Sequence, residues 1–376
     1  MNKHLILFFT RGMSLKAWDD VGMFDREVAL YERLRDKGVS ISFVTYGNAS
    51  DLDYQDRLPE IEILCNRWGL PNRIYEKFLH RFHGNVLKSC DLMKTNQMNG
   101  AEVAVRCAQR WGKPLIGRMG YLWSDFVAWK NGTSNGAVAR AREIEQQVFR
   151  SSERVVVTTV EMANSIQERD PEARNKTFVI PNYVETDRFA PDSRQSKDFD
   201  VIFVGRLSPQ KNVAALLEAL SDLEVKSLII GSGELRDELQ SQYGDASGKI
   251  KWEGNIPNSE LPSVMNRSRI FILPSHYEGH PKTLIEAMSC GMAVIGADSP
   301  GIREIIDCGV DGLLCGTDSE SIRRSIQKLL DNPGLCDSLG KKARQCVLDH
   351  FSLDRVFEIE YQLYQEVLNE RTSHAS

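Results

Sequence analysis

The sequence has no apolar run long enough to cross a bilayer. Residues 5–9 are among its longest and 155–157 is shorter still, far short of the ~20 residues a spanning helix needs. None of its eight cysteines, Cys65, Cys90, Cys107, Cys290, Cys308, Cys315, Cys336 and Cys346, forms a C-x-x-C pair. Neither a zinc ribbon nor a thioredoxin-type redox site is therefore indicated, and the thiols read mostly as small core residues of a reduced compartment. G-x-x-x-x-G-K-[ST] is missing, which argues against a P-loop NTPase. There is no basic excess: 47 Lys+Arg against 52 Asp+Glu leave a net charge of −5, which argues against general nucleic-acid binding. Low-complexity tracts and short-period repeats are also missing. The first ten residues run straight into a charged segment and read as a first strand, not a cleaved leader. A cytoplasmic protein is expected, with peripheral contact at the inner face of the membrane left open.

What is present is an ordinary globular composition, 376 residues with 41% hydrophobic and 26% charged, long enough for two domains. Charge is uneven: residues 1–190 hold 27 basic and 24 acidic side chains, the remainder 20 and 28. A mildly basic first half suits an anionic acceptor or a lipid surface; two unremarkable surfaces would give the same count. Short apolar runs predict strands near 4–9, 40–46, 61–65, 90–94, 114–118, 154–158 and 177–180. Helical periodicity falls near 25–37, 72–88, 99–111, 137–151 and 160–169. The alternation predicts a parallel sheet covered on both faces. The polar stretch 190–198 is the linker candidate. Beyond it come strands near 199–204, 226–230, 249–253, 269–273, 292–297 and 312–315 with a helix at 211–220. Three consecutive helices follow, near 317–331, 335–349 and 352–371. The expected division is a first α/β domain over 1–190, a second over 191–351 and a terminal helix over 352–376. Two doubly wound domains bind ligands at the carboxyl ends of their strands, which points to a cleft between them.

The most informative stretch is 269–315. A buried strand is stopped by Pro274, and the loop Ser275-His-Tyr-Glu278-Gly279-His280 follows. Pro281 suits the first position of a helix, and the helix through Glu286 stops at Gly291. Free N–H groups around 280–284 favour an anion such as a diphosphate, and Gly279 permits close backbone approach. Glu278 lies before the helix and Glu286 more than one turn into it, so the two carboxylates can reach different parts of one extended ligand. Carboxylates accept paired hydrogen bonds from vicinal hydroxyls. Taken alone, the pair also fits a solvated helix residue and a loop charge. Arg206 follows a strand and Gly205. Lys211 opens the next helix, where the dipole disfavours a cation unless an anion lies opposite. Two such cations and helix N–H groups can stabilise a leaving diphosphate without a divalent metal.

Glu278-Gly-His-Pro-Lys-Thr-Leu-Ile-Glu286-Ala-Met-Ser-Cys-Gly291, with Gly301-Ile-Arg-Glu304 and Gly309-Val-Asp-Gly312 after it, resembles the C-terminal signature of glycosyltransferase family 4, retaining enzymes of the GT-B fold. Phe203-Val-Gly205-Arg206-Leu207-Ser-Pro-Gln-Lys211-Asn212, Ile180-Pro-Asn182 and Gly231-Ser-Gly233 are similar to further segments of that family, so the resemblance covers 177–316 and fades before 150. It implies GT-B architecture: two Rossmann-like doubly wound domains facing across a cleft. Glu286 would hold the ribose of a donor nucleotide and Glu278 the transferred sugar. Arg206 and Lys211 would neutralise the diphosphate, with the backbone near Thr283 and Leu284 adding hydrogen bonds. Gly22, Gly205, Gly279 and His280 would line the donor. The family's glycine-rich loop after the first strand keeps only Gly22 here. Asp25, Arg26 and Glu27 beside it either contact acceptor or cap the helix. Where many members carry histidine after the 114–118 strand, this chain has Met119. Arg118 is a possible substitute, and Tyr121 either stacks on a sugar or packs as a lid. The last helix is placed to cross back to the first domain.

Other patterns mislead. Gly231-Ser-Gly233 mimics a dinucleotide fingerprint, but Arg236 occupies the third glycine's place. Asp51-Leu-Asp53 mimics a metal-binding D-x-D without a strand before it. Glu278 and Glu286 as a hydrolase pair conflict with their separation along loop and helix. Residues 72–83 form a basic amphipathic stretch that suits either anionic lipid or a solvated face. The resemblance implies a retaining hexosyltransferase that uses a nucleoside diphosphate sugar (UDP or GDP) and a glycan or lipid-linked acceptor, with no other cofactor and no metal. Its setting would be surface polysaccharide or lipopolysaccharide assembly. A nucleotide-sugar epimerase, a sucrose-type synthase, or a sugar-nucleotide-binding protein without turnover are the rivals.

Overall fold

The computed structural model describes residues 3–132, 136–244 and 248–374. They form two compact units. The first comprises residues 1–20, 27–181 and 357–376, the second 21–26 and 182–356.

The first unit is built on a seven-stranded sheet: β1 His4–Phe8, β2 Ser40–Val44, β3 Ile61–Leu64, β4 Leu92–Thr95, β5 Leu115–Arg118, β6 Arg154–Val157 and β7 Thr177–Val179. Its order is β3-β2-β1-β4-β5-β6-β7 and every pairing is parallel. The second unit repeats the scheme with β8 Phe199–Val204, β9 Ser227–Ile230, β10 Ile250–Glu253, β11 Ser268–Leu273, β12 Ala293–Ala297 and β13 Leu313–Cys315, ordered β10-β9-β8-β11-β12-β13 and again parallel. Parallel strands covered by helices on both faces read as near-continuous apolar runs. Leu5, Ile6 and Leu7, Val155 to Val157, Val201 to Phe203 and Ile270 to Leu273 are all buried. Each sheet reverses direction of growth at one place, between β1 and β4 and between β8 and β11; loops leaving such strands are where this fold receives ligands.

All thirteen strands fall where the apolar runs put them. The elements missed are short and weakly periodic: helices Leu15–Asp20, Trp123–Asn131, Arg236–Tyr243 and Leu261–Asn266, and the 3₁₀ segments Ala49–Arg57 and Pro171–Ala173. The 72–88 helix is two, Asn72–Phe82 and Gly84–Ser89, broken where His83 turns to bond the Tyr75 hydroxyl at 3.0 Å. No described helix is long and apolar enough to cross a membrane. Five cysteines, Cys65, Cys90, Cys107, Cys290 and Cys315, are buried and Cys308 is exposed.

The boundary expected at 190/191 lies earlier, after Pro181. Residues 182–189 are polar in sequence but fixed to the second unit. Asn182 Nδ2 donates to the His280 carbonyl at 2.6 Å and Ser289 Oγ to that of Phe189 at 2.6 Å. The Arg344 guanidinium donates to the Thr186 and Phe189 carbonyls at 3.1 and 2.6 Å. The terminal helix Leu353–His374 also begins within the second unit, and from Phe357 it belongs to the first.

What fixes that helix is a buried ion pair. Lys94, on β4, is fully buried, and its Nζ donates to Glu360 Oε2 and to the Tyr364 hydroxyl, each at 2.7 Å. Tyr364 also donates to Glu360. Burial disfavours the charged forms: it brings the Lys94 ammonium down to about 8 despite Glu360. Burial pushes Glu360 the other way, but the charges of Lys94 and Arg118 outweigh it and hold the carboxyl below its ordinary value. Removing one partner of such a pair leaves a buried charge uncompensated. Glu360→Gln should cost about 3–5 kcal/mol, whereas Lys94→Met with Glu360→Leu should recover most of it; urea unfolding of the three chains checks both. The depressed Glu360 carboxyl contributes stability above its unfolded value of about 4.5, and that contribution is lost as pH falls through the folded value. Wild type should therefore lose stability below about pH 4.5 more steeply than the apolar double variant.

Candidate functional site

The loops leaving β8 and β11, at the reversal point of the second sheet, carry the cations and the first carboxylate. β8 ends at Gly205. Arg206 is exposed on the loop beyond it, and Lys211 closes the 3₁₀ turn Pro209–Lys211. Asn212 then adopts a left-handed backbone at φ 54° and donates from Nδ2 to the carbonyls of Pro274 and Thr317 at 3.2 and 2.8 Å. Gln210 accepts from the His276 N–H at 2.9 Å and donates to the Tyr277 carbonyl at 2.6 Å. The two loops are thus laced together by backbone and amide groups, which sets Lys211 against Glu278: Nζ to Oε1 is 2.5 Å, with the side chains 17% and 9% exposed. The Glu278 N–H donates to the Pro300 carbonyl at 3.1 Å.

Helix Lys282–Ser289 follows directly, entered through Pro281, which makes no side-chain cap bond. The start of such a helix carries a partial positive charge. Thr283 is half-buried there and Leu284 is buried in the core. Gly279 is half-buried, and His280 is buried with its ring edge-on to Phe351 at 4.9 Å.

Glu286 is the least accessible charge of the group, 1% exposed. Its Oε1 accepts from Arg26 at 3.1 Å and from Asn258 Nδ2 at 2.9 Å. Its Oε2 is buried with no hydrogen-bond partner among the described residues. Arg26 reaches it because residues 21–26 belong to the second unit. The Gly22 carbonyl accepts from the Asn258 N–H at 3.0 Å, and the Arg26 carbonyl from the Tyr183 hydroxyl at 2.7 Å. A Cβ on Gly22 would stand 2.6 Å from the Ile256 carbonyl oxygen, so only glycine fits at its φ of +72°. Asn258, 1% exposed, also accepts from Arg188.

The structure therefore places Gly22, Asp25, Arg26, Gly205, Arg206, Lys211 and the 278–286 group in one unit. It joins Lys211 to Glu278 and Arg26 to Glu286. Arg118, Met119 and Tyr121 lie in the other unit. Arg118 ends β5, with its N–H on Thr95 Oγ1 at 2.9 Å. Met119 is fully buried and Tyr121 packs edge-on to Phe126 at 5.4 Å. Asn258 was not singled out from the sequence; its one signal is its place in the loop leaving β10, in a polar Pro257-Asn258-Ser259 turn.

Two misleading patterns have structural explanations. A Cβ on Gly231 would lie 1.9 Å from the Gly205 carbonyl oxygen, and one on Gly233 2.2 Å from that of Leu207. These glycines let the loops after β8 and β9 touch. Arg236 answers the Gly231 and Glu253 carbonyls at 2.5 and 2.8 Å. Asp51 is buried, accepting from Thr45 Oγ1 at 2.6 Å and the Lys16 N–H at 3.4 Å, the bonds of a structural aspartate.

Residues 185–346 match the family described as Glycosyl transferases group 1. The chain is 27% identical to D-inositol 3-phosphate glycosyltransferase of Acidothermus cellulolyticus, across 99% of this chain and 92% of that protein. It is 28% identical to UDP-Gal:alpha-D-GlcNAc-diphosphoundecaprenol alpha-1,3-galactosyltransferase of Escherichia coli, across 51% of this chain and 55% of that one. Among solved structures, sucrose-phosphate synthase from Thermosynechococcus elongatus superposes with a TM-score of 0.81 at 18% identity, covering 98% of this chain and all of that one. The parallel sheets and these matches agree: the fold is GT-B, and the chain is a glycosyltransferase whose residues 185–346 resemble the group 1 family.

Proposed function

We propose that the protein is a retaining hexosyltransferase that moves a sugar from a nucleoside diphosphate donor, UDP or GDP, to a hydroxyl of a glycan or lipid-linked acceptor. Cell-surface polysaccharide or lipopolysaccharide assembly is the setting we infer, at the cytoplasmic side of the membrane. The observation that carries the reading is Glu286. A carboxylate only 1% exposed, with one oxygen held by Arg26 and Asn258 and the other without a partner among the described residues, is preorganised to accept hydroxyl hydrogens, as the ribose of a nucleotide presents them. The E. coli relative's name, with its UDP-galactose donor and diphosphoundecaprenol acceptor, supports the same classes of donor and acceptor.

In this reading the diphosphate lies along the start of helix Lys282–Ser289, where the N–H groups of Thr283 and Leu284 meet phosphate oxygens. Lys211 and Arg206 neutralise the charge that grows as the bond from the anomeric carbon to phosphate breaks. Glu278, held beside Lys211, takes hydroxyls of the departing sugar, and Gly279 and His280 shape the backbone around it. The acceptor hydroxyl forms its new bond to the anomeric carbon on the face the phosphate leaves, and its proton passes to the leaving phosphate oxygen. Configuration is retained with no covalent enzyme intermediate and no divalent ion. Asp25, Arg118 and Tyr121 are the side chains we assign to the acceptor.

A thermal-shift screen with UDP, GDP, ADP and their sugars tests the donor. One nucleotide at a hundred times its Kd should stabilise the protein by about 2.7 kcal/mol, and no shift with any of them would overturn the reading. Lys211→Ala should slow donor turnover by about 10²–10³-fold, read as nucleoside diphosphate release with and without acceptor. Equal slow release by wild type, Lys211→Ala and Glu278→Ala would mean binding without transfer. Arg26→Ala and Asn258→Ala should each weaken the nucleotide by about tenfold or more, but leave a 2′,3′-dideoxy analogue unaffected, because the hydroxyls Glu286 accepts from are then missing.

A further inference from the structure

Between residues 67 and 113 the chain holds nine Lys+Arg, one of them the buried Lys94, and three Asp+Glu. The acids are occupied: Arg11 binds both oxygens of Glu76 at 2.7 and 3.0 Å and Glu102 at 2.5 Å, and Asp91 accepts from the His4 N–H at 2.8 Å. Helices Asn72–Phe82 and Ala101–Trp111 border a groove of about 480 Å³ lined by Arg73, Lys77, His80, Arg106 and Arg110, with Glu76 the one acid. Arg73, Lys77, Arg106 and Arg110 are exposed, and none makes an ion pair among the described residues. Arg106 reaches only the Glu76 carbonyl, at 3.5 Å. Exposed arginines elsewhere do find acids, as Arg57 does Asp19 at 2.9 Å and Arg169 does Asp125 at 2.6 Å. Burial and then the charges of Arg110, Arg81 and Arg106 push the His80 imidazole below its usual value. Four unpaired cations around one groove repel each other and favour an anion between them.

Apolar side chains adjoin the groove's cations around helix Asn72–Phe82. Trp68 and Ile74 are 41% and 44% exposed. Trp68 packs on Phe82 with ring centres 4.3 Å apart and planes tilted by 30°, and the Arg67 guanidinium lies 4.9 Å from the Trp68 ring centre. On helix Asn72–Phe82 the stripe Arg73–Lys77 (i, i+4) adjoins the stripe Ile74–Phe78–Arg81 (i, i+4, i+7), while Tyr75 and Leu79 face the core. Beyond that stripe Arg67, Arg81 and Phe82 line a second hollow of about 310 Å³, whose acid, Glu62, is bonded to Ser42 at 2.9 Å.

We infer that this face docks the protein on an anionic phospholipid bilayer, the groove cations gripping headgroup phosphates while Trp68 and Ile74 enter the interfacial layer. A soluble polyanion would use the cations but gain nothing from an exposed tryptophan and isoleucine. A membrane interface uses both, aromatic residues being favoured at headgroup level and apolar faces just below it. The inference does not rest on the transfer reaction, because docking needs no donor.

The full chain is sedimented with vesicles of phosphatidylcholine alone or mixed with phosphatidylglycerol, without nucleotide. Binding should require phosphatidylglycerol and should fall steeply as salt is raised from about 0.05 M to about 0.5 M, where the screening length shrinks to a few ångströms. Lys77→Ala with Arg110→Ala should weaken it by about 30-fold. Trp68→Ser with Ile74→Ser should weaken vesicle binding but leave retention on a heparin column unchanged. If a pair melts earlier than wild type, Arg73→Gln with Arg106→Gln replaces it, and the wild-type salt series needs no variant. No binding by wild type, charge variants that bind as wild type does, or vesicle binding indifferent to Trp68 and Ile74 would each overturn the lipid surface. The last result would mark a site for a soluble polyanion.

Discussion

A carboxylate buried among apolar strands and helices must be compensated, and the compensation of Glu286 shapes much of the second domain. One turn of helix after Pro281 carries it into the core. Its first oxygen needs donors, and they come from segments far apart in sequence: Arg26, 260 residues earlier, and Asn258, on the loop leaving β10. Bringing Arg26 there draws residues 21–26 out of the domain that precedes and follows them in the chain, with Gly22 pressed on the Ile256–Asn258 backbone. The second oxygen has no partner among the described residues. In a stable core that atom is a liability of about 1–3 kcal/mol or more, tolerable where a ligand supplies the missing donors.

The strands, and the settings of Arg206, Lys211, Glu278 and Glu286 in the chain, were legible because their causes are local. A parallel strand covered on both faces must be apolar throughout, so short runs mark it. Arg206, Lys211, Glu278 and Glu286 stand at strand ends and a helix start, where spacing alone describes their setting. What sequence did not reveal depends on distant partners. Arg26 was open between acceptor contact and helix cap, and nothing nearby identifies Glu286 as its partner. Asn258 sits in a turn that resembles any polar loop. The 182–189 segment carries the polar composition of a linker, yet its carbonyls are claimed by Arg344 and Ser289.

The terminal helix shows the same limit with the opposite sign. Its periodicity announced a helix, but not that Lys94, on a strand of otherwise buried residues, would be its anchor. A lysine in a parallel strand argues against that strand unless an acid reaches it, and Glu360 lies 266 residues away. Arg154 and Arg371 extend the attachment to Glu370 and Glu153, so the helix end is held by charge pairs from core to surface. The buried pair is the stronger determinant of where the helix sits, because an unpaired Lys94 is far costlier than an exposed ion pair is favourable.

Net charge hid the cationic face for a related reason. Summed over residues 1–190 the excess of basic groups is slight, which describes any soluble domain. Pairing, not counting, distinguishes the groove: Arg11 takes up Glu76 and Glu102, and Glu360 takes up Lys94. The acids near the two helices are thereby removed from the surface balance, and the cations remain. A count gives every charge equal weight, whereas a bilayer or an ion responds only to those left unpaired at the surface. The field of Arg73, Lys77, Arg106 and Arg110 is therefore larger than composition implies, and Trp68 and Ile74 beside it decide what kind of anion-bearing surface it suits.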